Sequence, residues 1–243
     1  MKKTLYLLSI ILILLQSCSS GDSSSDADNS SQGYLIKKIV SDNGGVENYS
    51  YNGNKLLKIS YEDETSMVFT YTGDLITKTE MKDANNNFTG EFQIRSYING
   101  RFVQIKSYYN NILFHKDDYN YNIDGTRTKT ETYYEVINFS DAGSSVTKQY
   151  FDTVGNIIKE QNLNANNTVN GTSNYLYDLK NNPHKNITGW IIAEGSGTEK
   201  INNLLKETSG AIYTYKYEYN DQGYPISRIM TTGTSEYSEQ YFY

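Results

Sequence analysis

Cysteine, proline, histidine and tryptophan are all scarce in this chain of 243 residues, which has one Cys, two Pro, two His and one Trp. A single cysteine permits no intrachain disulfide and no Cys-based zinc cluster. Two histidines supply little for a His-rich metal site or a triad. The sequence also has no HExxH, no nucleophile elbow and no glycine-rich loop opening a helix. No catalytic residue, metal ligand or cofactor is therefore assigned from it. Basic side chains are outnumbered as well: 22 Lys and Arg face 28 Asp and Glu, for a net charge of -6. That balance argues against nucleic acid as a partner, since affinity for phosphate backbones comes from clustered positive charge. What is abundant is tyrosine, with 24 Tyr against 8 Phe.

The first thirty-two residues read as an address. Met1-Lys2-Lys3 is followed by an apolar run from Leu5 to Leu15 and then by Gln16-Ser17-Cys18, the three-part layout of a secretory signal. The run is well short of the roughly 20 residues a membrane-spanning helix needs. Residues 19–32 hold seven Ser and three Asp and no apolar side chain larger than Ala. Such a segment cannot bury enough surface to order itself and reads as a tether.

Leu15-Gln16-Ser17-Cys18 resembles a bacterial lipobox, which implies cleavage before Cys18 and acylation of that residue. The Ser and Asp that follow resemble the export signals of Bacteroidota surface lipoproteins. The resemblance implies residues 1–17 as signal, 18–32 as lipidated tether, and 33–243 as the folded domain. It also implies attachment to an outer membrane through the lipid, on the cell surface. Removing residues 1–17 leaves 20 basic and 28 acidic groups, so the lipid rather than charge must hold the chain to an anionic membrane.

From Gly33 onward the pattern has period two. Tyr213, Tyr215, Tyr217 and Tyr219 fall on one face of a strand while Ile212, Thr214, Lys216 and Glu218 fall on the other. Tyr49/Tyr51, Tyr119/Tyr121 and Tyr175/Tyr177 repeat the device. Between the runs lie turns rich in Asn, Asp and Gly. Tyr51-Asn52-Gly53, Tyr71-Thr72-Gly73, Tyr97-Ile98-Asn99-Gly100, Tyr121 to Gly125, Phe151 to Gly155 and Tyr219 to Gly223 read as versions of one unit. The expected fold is all-β, a long antiparallel meander of repeated hairpins with about fourteen strands, curled or two-layered. One stretch breaks the alternation: residues 180–209, with Pro183, His184 and Trp190, read as an irregular or helical insertion. Within it Thr198 to Lys206 has the spacing of two helical turns.

The repeated unit resembles RHS/YD tyrosine-aspartate repeats, most closely at Phe151-Asp152-Thr153-Val154-Gly155-Asn156-Ile157. Tyr175 to Ile187 is similar to a stretch in Bacteroidota lipoproteins of undefined function. These likenesses imply a β-repeat fold and bring no catalytic residues.

Asn120-x-Asn122-x-Asp124-Gly125, with Glu131 beyond, matches calcium-loop spacing except at its first ligand, but strand-like flanks in place of helices reject it. His115 and His184 read as packing residues. The functional expectation is a lipid-anchored, non-catalytic binding or scaffolding protein, in adhesion or in the capture of a glycan or peptide. Tyr213, Tyr215, Tyr217, Tyr219, Trp190 and His184 are the candidate ligand-facing residues. The alternative is a polysaccharide hydrolase using a carboxylate pair near the insertion. The sequence sets no oligomeric state.

Overall fold

The computed structural model describes residues 34–134, 142–193 and 201–243; the lipobox, Cys18 and the tether lie outside them. Sixteen strands follow one another: β1 Lys38–Ser41, β2 Val46–Asn52, β3 Lys55–Tyr61, β4 Ser66–Thr72, β5 Leu75–Lys82, β6 Phe88–Ile98, β7 Arg101–Tyr109, β8 Ile112–Tyr121, β9 Arg127–Tyr133, β10 Gly143–Phe151, β11 Ile157–Leu163, β12 Val169–Tyr177, β13 Leu204–Ser209, β14 Ala211–Tyr219, β15 Pro225–Thr232 and β16 Ser235–Phe242. A single helical turn, α1 Trp190–Ala193, lies between β12 and β13. Each strand pairs antiparallel with its neighbours in sequence, and β16 returns to pair with β1, Ile39 opposite Tyr241, so the sheet is a closed barrel.

The all-β antiparallel meander of hairpins expected from the sequence is present, and where a curled or two-layered sheet was expected it closes into a barrel. Closure removes both sheet edges, which an open sheet of sixteen strands would leave exposed to pairing with other chains. The same closure corrects the RHS/YD assignment: the repeated aromatic-Asp/Asn pattern belongs to turns at one end of a barrel. Its local cause is plain. The side chain after the aromatic accepts the turn's own amide hydrogens, as Asp152 Oδ1 does from Val154, Gly155 and Asn156 N and Asn220 Oδ1 from Gln222 and Tyr224 N. The helical reading of 198–206 is corrected too. Leu204 to Lys206 belong to β13, where pairing with β12 and β14 outweighs a short helix's weak intrinsic preference.

Alternation gives the wall two faces. Lys58 shares the outer row with Ser50 and Val68, whereas Tyr49, Ile59 and Met67 share the inner one. Facing outward near the middle of their strands are Lys58, Lys78, Lys106, Lys116, Lys148, Lys159, Lys206 and Lys216. The inner face carries most of the aromatic rings. Its packed core gathers Ile36, Leu56, Ile59, Phe69 and Ile76 from the strands with Ile187 from the insertion.

Tyrosine hydroxyls close the base of this barrel. The odd-numbered strands begin and the even-numbered strands end at the base, where short turns such as Gly53-Asn54 and Asn99-Gly100 lead from one strand pair to the next. There Tyr51 Oη donates to Ile36 O (2.6 Å), Tyr97 to Ile76 O (2.6 Å), Tyr121 to Phe102 O (2.9 Å), Tyr177 to Ile157 O (2.9 Å) and Tyr243 to Pro225 O (3.0 Å). Tyr71 Oη accepts from Leu56 N at 3.1 Å. Phe151 has no hydroxyl, and in its hairpin the Arg127 guanidinium lies 5.2 Å from the Phe151 ring centre instead. At Tyr51, Tyr71, Tyr97, Phe151 and Tyr219 the pairing with the following strand also slips by one residue, the kind of bulge that bends a strand and re-aims its side chains.

A hydroxyl-to-carbonyl bond of this kind is worth about 0.5–1.5 kcal/mol net, and more is lost if the carbonyl is left buried and bare. Tyr97→Phe is expected to lower unfolding stability by about 1 kcal/mol in urea denaturation. The same substitution at Tyr109, which is exposed at the opposite rim, is expected to leave it within about 0.5 kcal/mol.

Candidate functional site

A barrel of sixteen strands is wide enough to leave an open lumen. Here the insertion between β12 and β13 occupies the base, and its residues Pro183, His184, Trp190 and Ala193 form the floor of a cavity of about 690 Å³. That size lies within the range of small-molecule sites, roughly 300–1,000 Å³. The insertion is fastened by backbone. Thr188 N donates to Asn54 O (2.9 Å), and Gly189, with φ +75°, sits so close to the β4–β5 turn that a Cβ there would come within 2.4 Å of Asp74 O. Glycine is required at that contact.

The floor is aromatic. The His184 imidazole stacks on Trp190 with ring centres 4.7 Å apart, and Trp190 in turn meets Phe69 at 6.0 Å. Tyr49 Oη lies 3.3 Å from His184 Nε2 and donates to Glu47 Oε2 at 2.5 Å. Burial, with the Arg228 charge adding to it, pushes the His184 imidazolium down to about 4, so the ring is neutral at ordinary pH. On the wall beside it, Glu239 accepts from Arg228 (2.9 Å) and from Tyr241 (2.6 Å).

The opposite wall is built by β6 to β9, and its charges are denser. His115 and Asp117 alternate on β8, and Lys129 and Glu131 face them from β9, with Asp117 directly opposite Glu131. Asp117 is only 5% exposed. His115 Nε2 lies 3.0 Å from Asp117 Oδ1, and Lys129 Nζ 2.9 Å from Glu131 Oε1. Burial pushes the Asp117 carboxyl up against the opposing pull of His115 and Lys129. Burial would raise Glu131 as well, but its hydrogen bond and ion pair with Lys129 hold it below the usual range. Asp117 Oδ2 accepts from Tyr119 and Glu131 Oε2 from Ser145.

Of the residues singled out from the sequence, His184 and Trp190 line this cavity. Tyr213, Tyr215, Tyr217 and Tyr219 are not among its lining residues. Tyr219 hydrogen-bonds Asp178, Tyr217 packs on Tyr219, the Arg228 guanidinium lies 5.7 Å from the Tyr215 ring centre, and Tyr213 pairs between Glu207 and Thr232. The aromatics Tyr49, Tyr61, Phe69, Phe102, Tyr119 and Tyr241 and charges such as Asp117, Glu131 and Arg228 also line it, and the sequence reading assigned none of them to a site. Their strand alternation was visible, but which face is concave was not. The residues of the calcium-like pattern form the β8–β9 turn, where Asn122 donates to Thr126 and Thr128, and Glu131 lies beyond it on the lumen wall.

No protein-family model and no curated protein matches the sequence. Among solved structures the chain is similar to a porin-like protein from Bacteroides vulgatus ATCC 8482, with a TM-score of 0.55 and 12% identity over 86% of this chain and 98% of that one. It also matches a porin-like protein from Bacteroides uniformis ATCC 8492, with a TM-score of 0.41 and 10% identity over 82% and 76% of the two chains. The likeness is one of fold. The first match extends across nearly the whole of its partner, and it stands where the RHS/YD resemblance stood.

The neutral His184 ties stability to pH. An unfolded histidine takes up its proton near 6.5, whereas the folded one resists it down to about 4. This contribution is therefore full above pH 6.5 and is lost as pH falls through that window. His184→Gln is expected to flatten the fall in melting temperature between pH 6.5 and 4, removing on the order of 2 kcal/mol of pH-dependent stability.

Proposed function

We propose that this protein is a lipid-anchored binding cup of the outer membrane, whose barrel stands in water and whose lumen captures a small polar ligand such as a glycan or peptide fragment without transforming it. The outer wall carries this reading. A barrel that spans a bilayer presents an apolar band about 25 Å tall, and each Lys at its midplane costs about 2–4 kcal/mol. This wall turns eight lysines outward near mid-strand, beside Ser and Thr but also beside Val68, Ile94, Tyr150, Leu176 and Ile229, so that charges interrupt its apolar side chains at mid-height. Many strands have only four to seven residues, against the roughly 9–11 a crossing strand needs. The porin-like neighbours favour an outer-membrane setting, and acylated Cys18 supplies the attachment that the wall does not.

The lumen favours capture over hydrolysis. Aromatic faces beside paired charges suit sugar rings and peptide side chains. Glycoside cleavage needs two carboxyl groups flanking the bond, about 5–9.5 Å apart. Asp117 and Glu131 instead sit side by side on neighbouring strands with ligand oxygens no more than 4.8 Å apart. Glu47 and Glu239 are engaged by tyrosine hydroxyls.

Cell fractionation checks the anchoring. The native chain is expected with the membranes, and Cys18→Ser is expected in the soluble fraction with an unchanged β-type circular dichroism spectrum. A Cys18→Ser chain that stays in the membrane would mark a spanning barrel and overturn the reading. Trp190→Ala is expected to weaken binding of whichever glycan or peptide raises the melting temperature of the native chain, by roughly tenfold or more, since a stacked aromatic is worth about 0.5–1.5 kcal/mol beyond the area it buries.

A further inference from the structure

The wall opposite the plug holds a group of side chains that ligand capture by aromatic stacking does not use. His115 Nε2, Asp117 Oδ1 and a carboxylate oxygen of Glu131 converge within 4.8 Å of one another. Asp117 is 5% exposed. Its Oδ1 and His115 Nε2 are 3.0 Å apart, yet both atoms are buried and neither makes a hydrogen bond. Two buried polar atoms that touch without bonding to each other are costly, because each has given up water for nothing directional. The cost disappears if both lone pairs are directed at a third centre. Four ligands about 2.1 Å from a zinc ion stand roughly 3.4 Å apart, close to the separation of this pair, and rotation of the longer Glu131 side chain brings in the third.

We infer that His115, Asp117 and Glu131 form a binding site for a divalent transition cation of the zinc class, with its remaining position open to the lumen. One nitrogen and two carboxylate oxygens are a donor set such ions accept. The surrounding contacts orient those donors as second partners do in metal sites. Tyr119 Oη donates to Asp117 Oδ2, Ser145 Oγ to Glu131 Oε2, and the His115 ring lies 4.6 Å from that of Tyr133. Two cations also face the cluster: Lys129, paired with Glu131, and Arg95, which donates to Thr79 and Gln93. Their charge lowers the site's affinity below that of a site with only acidic neighbours. The open position lets a bound ion take an oxygen of whatever enters the cup, but binding of the ion itself depends neither on the capture reading nor on the lipid.

Calorimetric titration of the EDTA-treated full chain in detergent with zinc chloride tests this. One ion per chain is expected, with at least a roughly tenfold loss of affinity in Asp117→Asn and His115→Gln and no change in Cys18→Ser. Absence of saturable binding by the native chain, or binding that survives both cavity substitutions, overturns the inference. If either variant fails to fold, X-ray absorption of the zinc-loaded native chain decides. One imidazole with oxygen ligands supports the site, and sulfur ligation or the lack of an imidazole removes it.

Discussion

The bond from a tyrosine hydroxyl to a main-chain carbonyl, made at the base by five of the eight strand pairs, is the constraint on which the rest of this molecule depends. Tyr51, Tyr97, Tyr121, Tyr177 and Tyr243 each reach from the end of one strand to the start of its partner. The register shifts by one residue at Tyr51, Tyr97 and Tyr177. The base narrows onto Ile36, Leu56, Ile76 and Ile157, all essentially inaccessible to water. A phenol suits this task because its ring adds to the apolar base while its hydroxyl satisfies a carbonyl that the bulge would leave bare. The excess of tyrosine over phenylalanine thus follows from closing a barrel that has few aliphatic residues to pack.

A shared fold and a shared medium are separate matters here. Backbone closure can be the same in a barrel that meets lipid and one that meets water, because it is set by pairing and register, whereas the medium is set by every second side chain. In this chain most rings turn inward, while the outer face mixes lysines with apolar side chains such as Ile94, Leu176 and Ile229. Many of those lysines are not lone charges. Lys78 pairs with Glu80 and lies 5.0 Å from the Phe92 ring centre, and Lys116 pairs with Asp118, so the stems cover exposed aromatic surface while the heads stay hydrated.

Much of the fold could be read from residues close together in sequence. Period-two runs marked the strands, and Asn, Asp and Gly marked the turns, because both signals are local. Closure was not local: Lys38 pairs with Phe242 across some two hundred residues, and nothing in either segment encodes the other. The same limit hid the site. Phe114-His115-Lys116-Asp117-Asp118 gives two acids and a histidine in a row, but only closure decides that His115 and Asp117 face the lumen while Lys116 and Asp118 face outward. Tyr213 to Tyr219 stood out as the most regular row, yet the cavity lies against other strands. The reading of 198–206 as helix failed because Leu204 and Leu205 fit a helical face as well as a strand, and only the neighbouring β12 and β14 arbitrate.

The insertion turns a wide ring into a cup, and the way it is held determines what kind of cup. Its described segments are bound mostly by amide side chains with little freedom left. Asn203 donates to Asp178 and to Asn181 O, Asn202 exchanges bonds with Asn156, and Asn186 reaches both Tyr34 O and Tyr224 Oη. Asn156, Asn182 and Asn203 are each at most 3% exposed, so breaking the set would strand several buried amides at once. Gly189 against Asp74 removes the remaining slack. His184 and Trp190 are therefore held in the floor by contacts on both sides of the insertion. Across the cavity that aromatic floor faces the charged wall of β8 and β9, so one lumen holds stacked rings at its base and paired charges on its side.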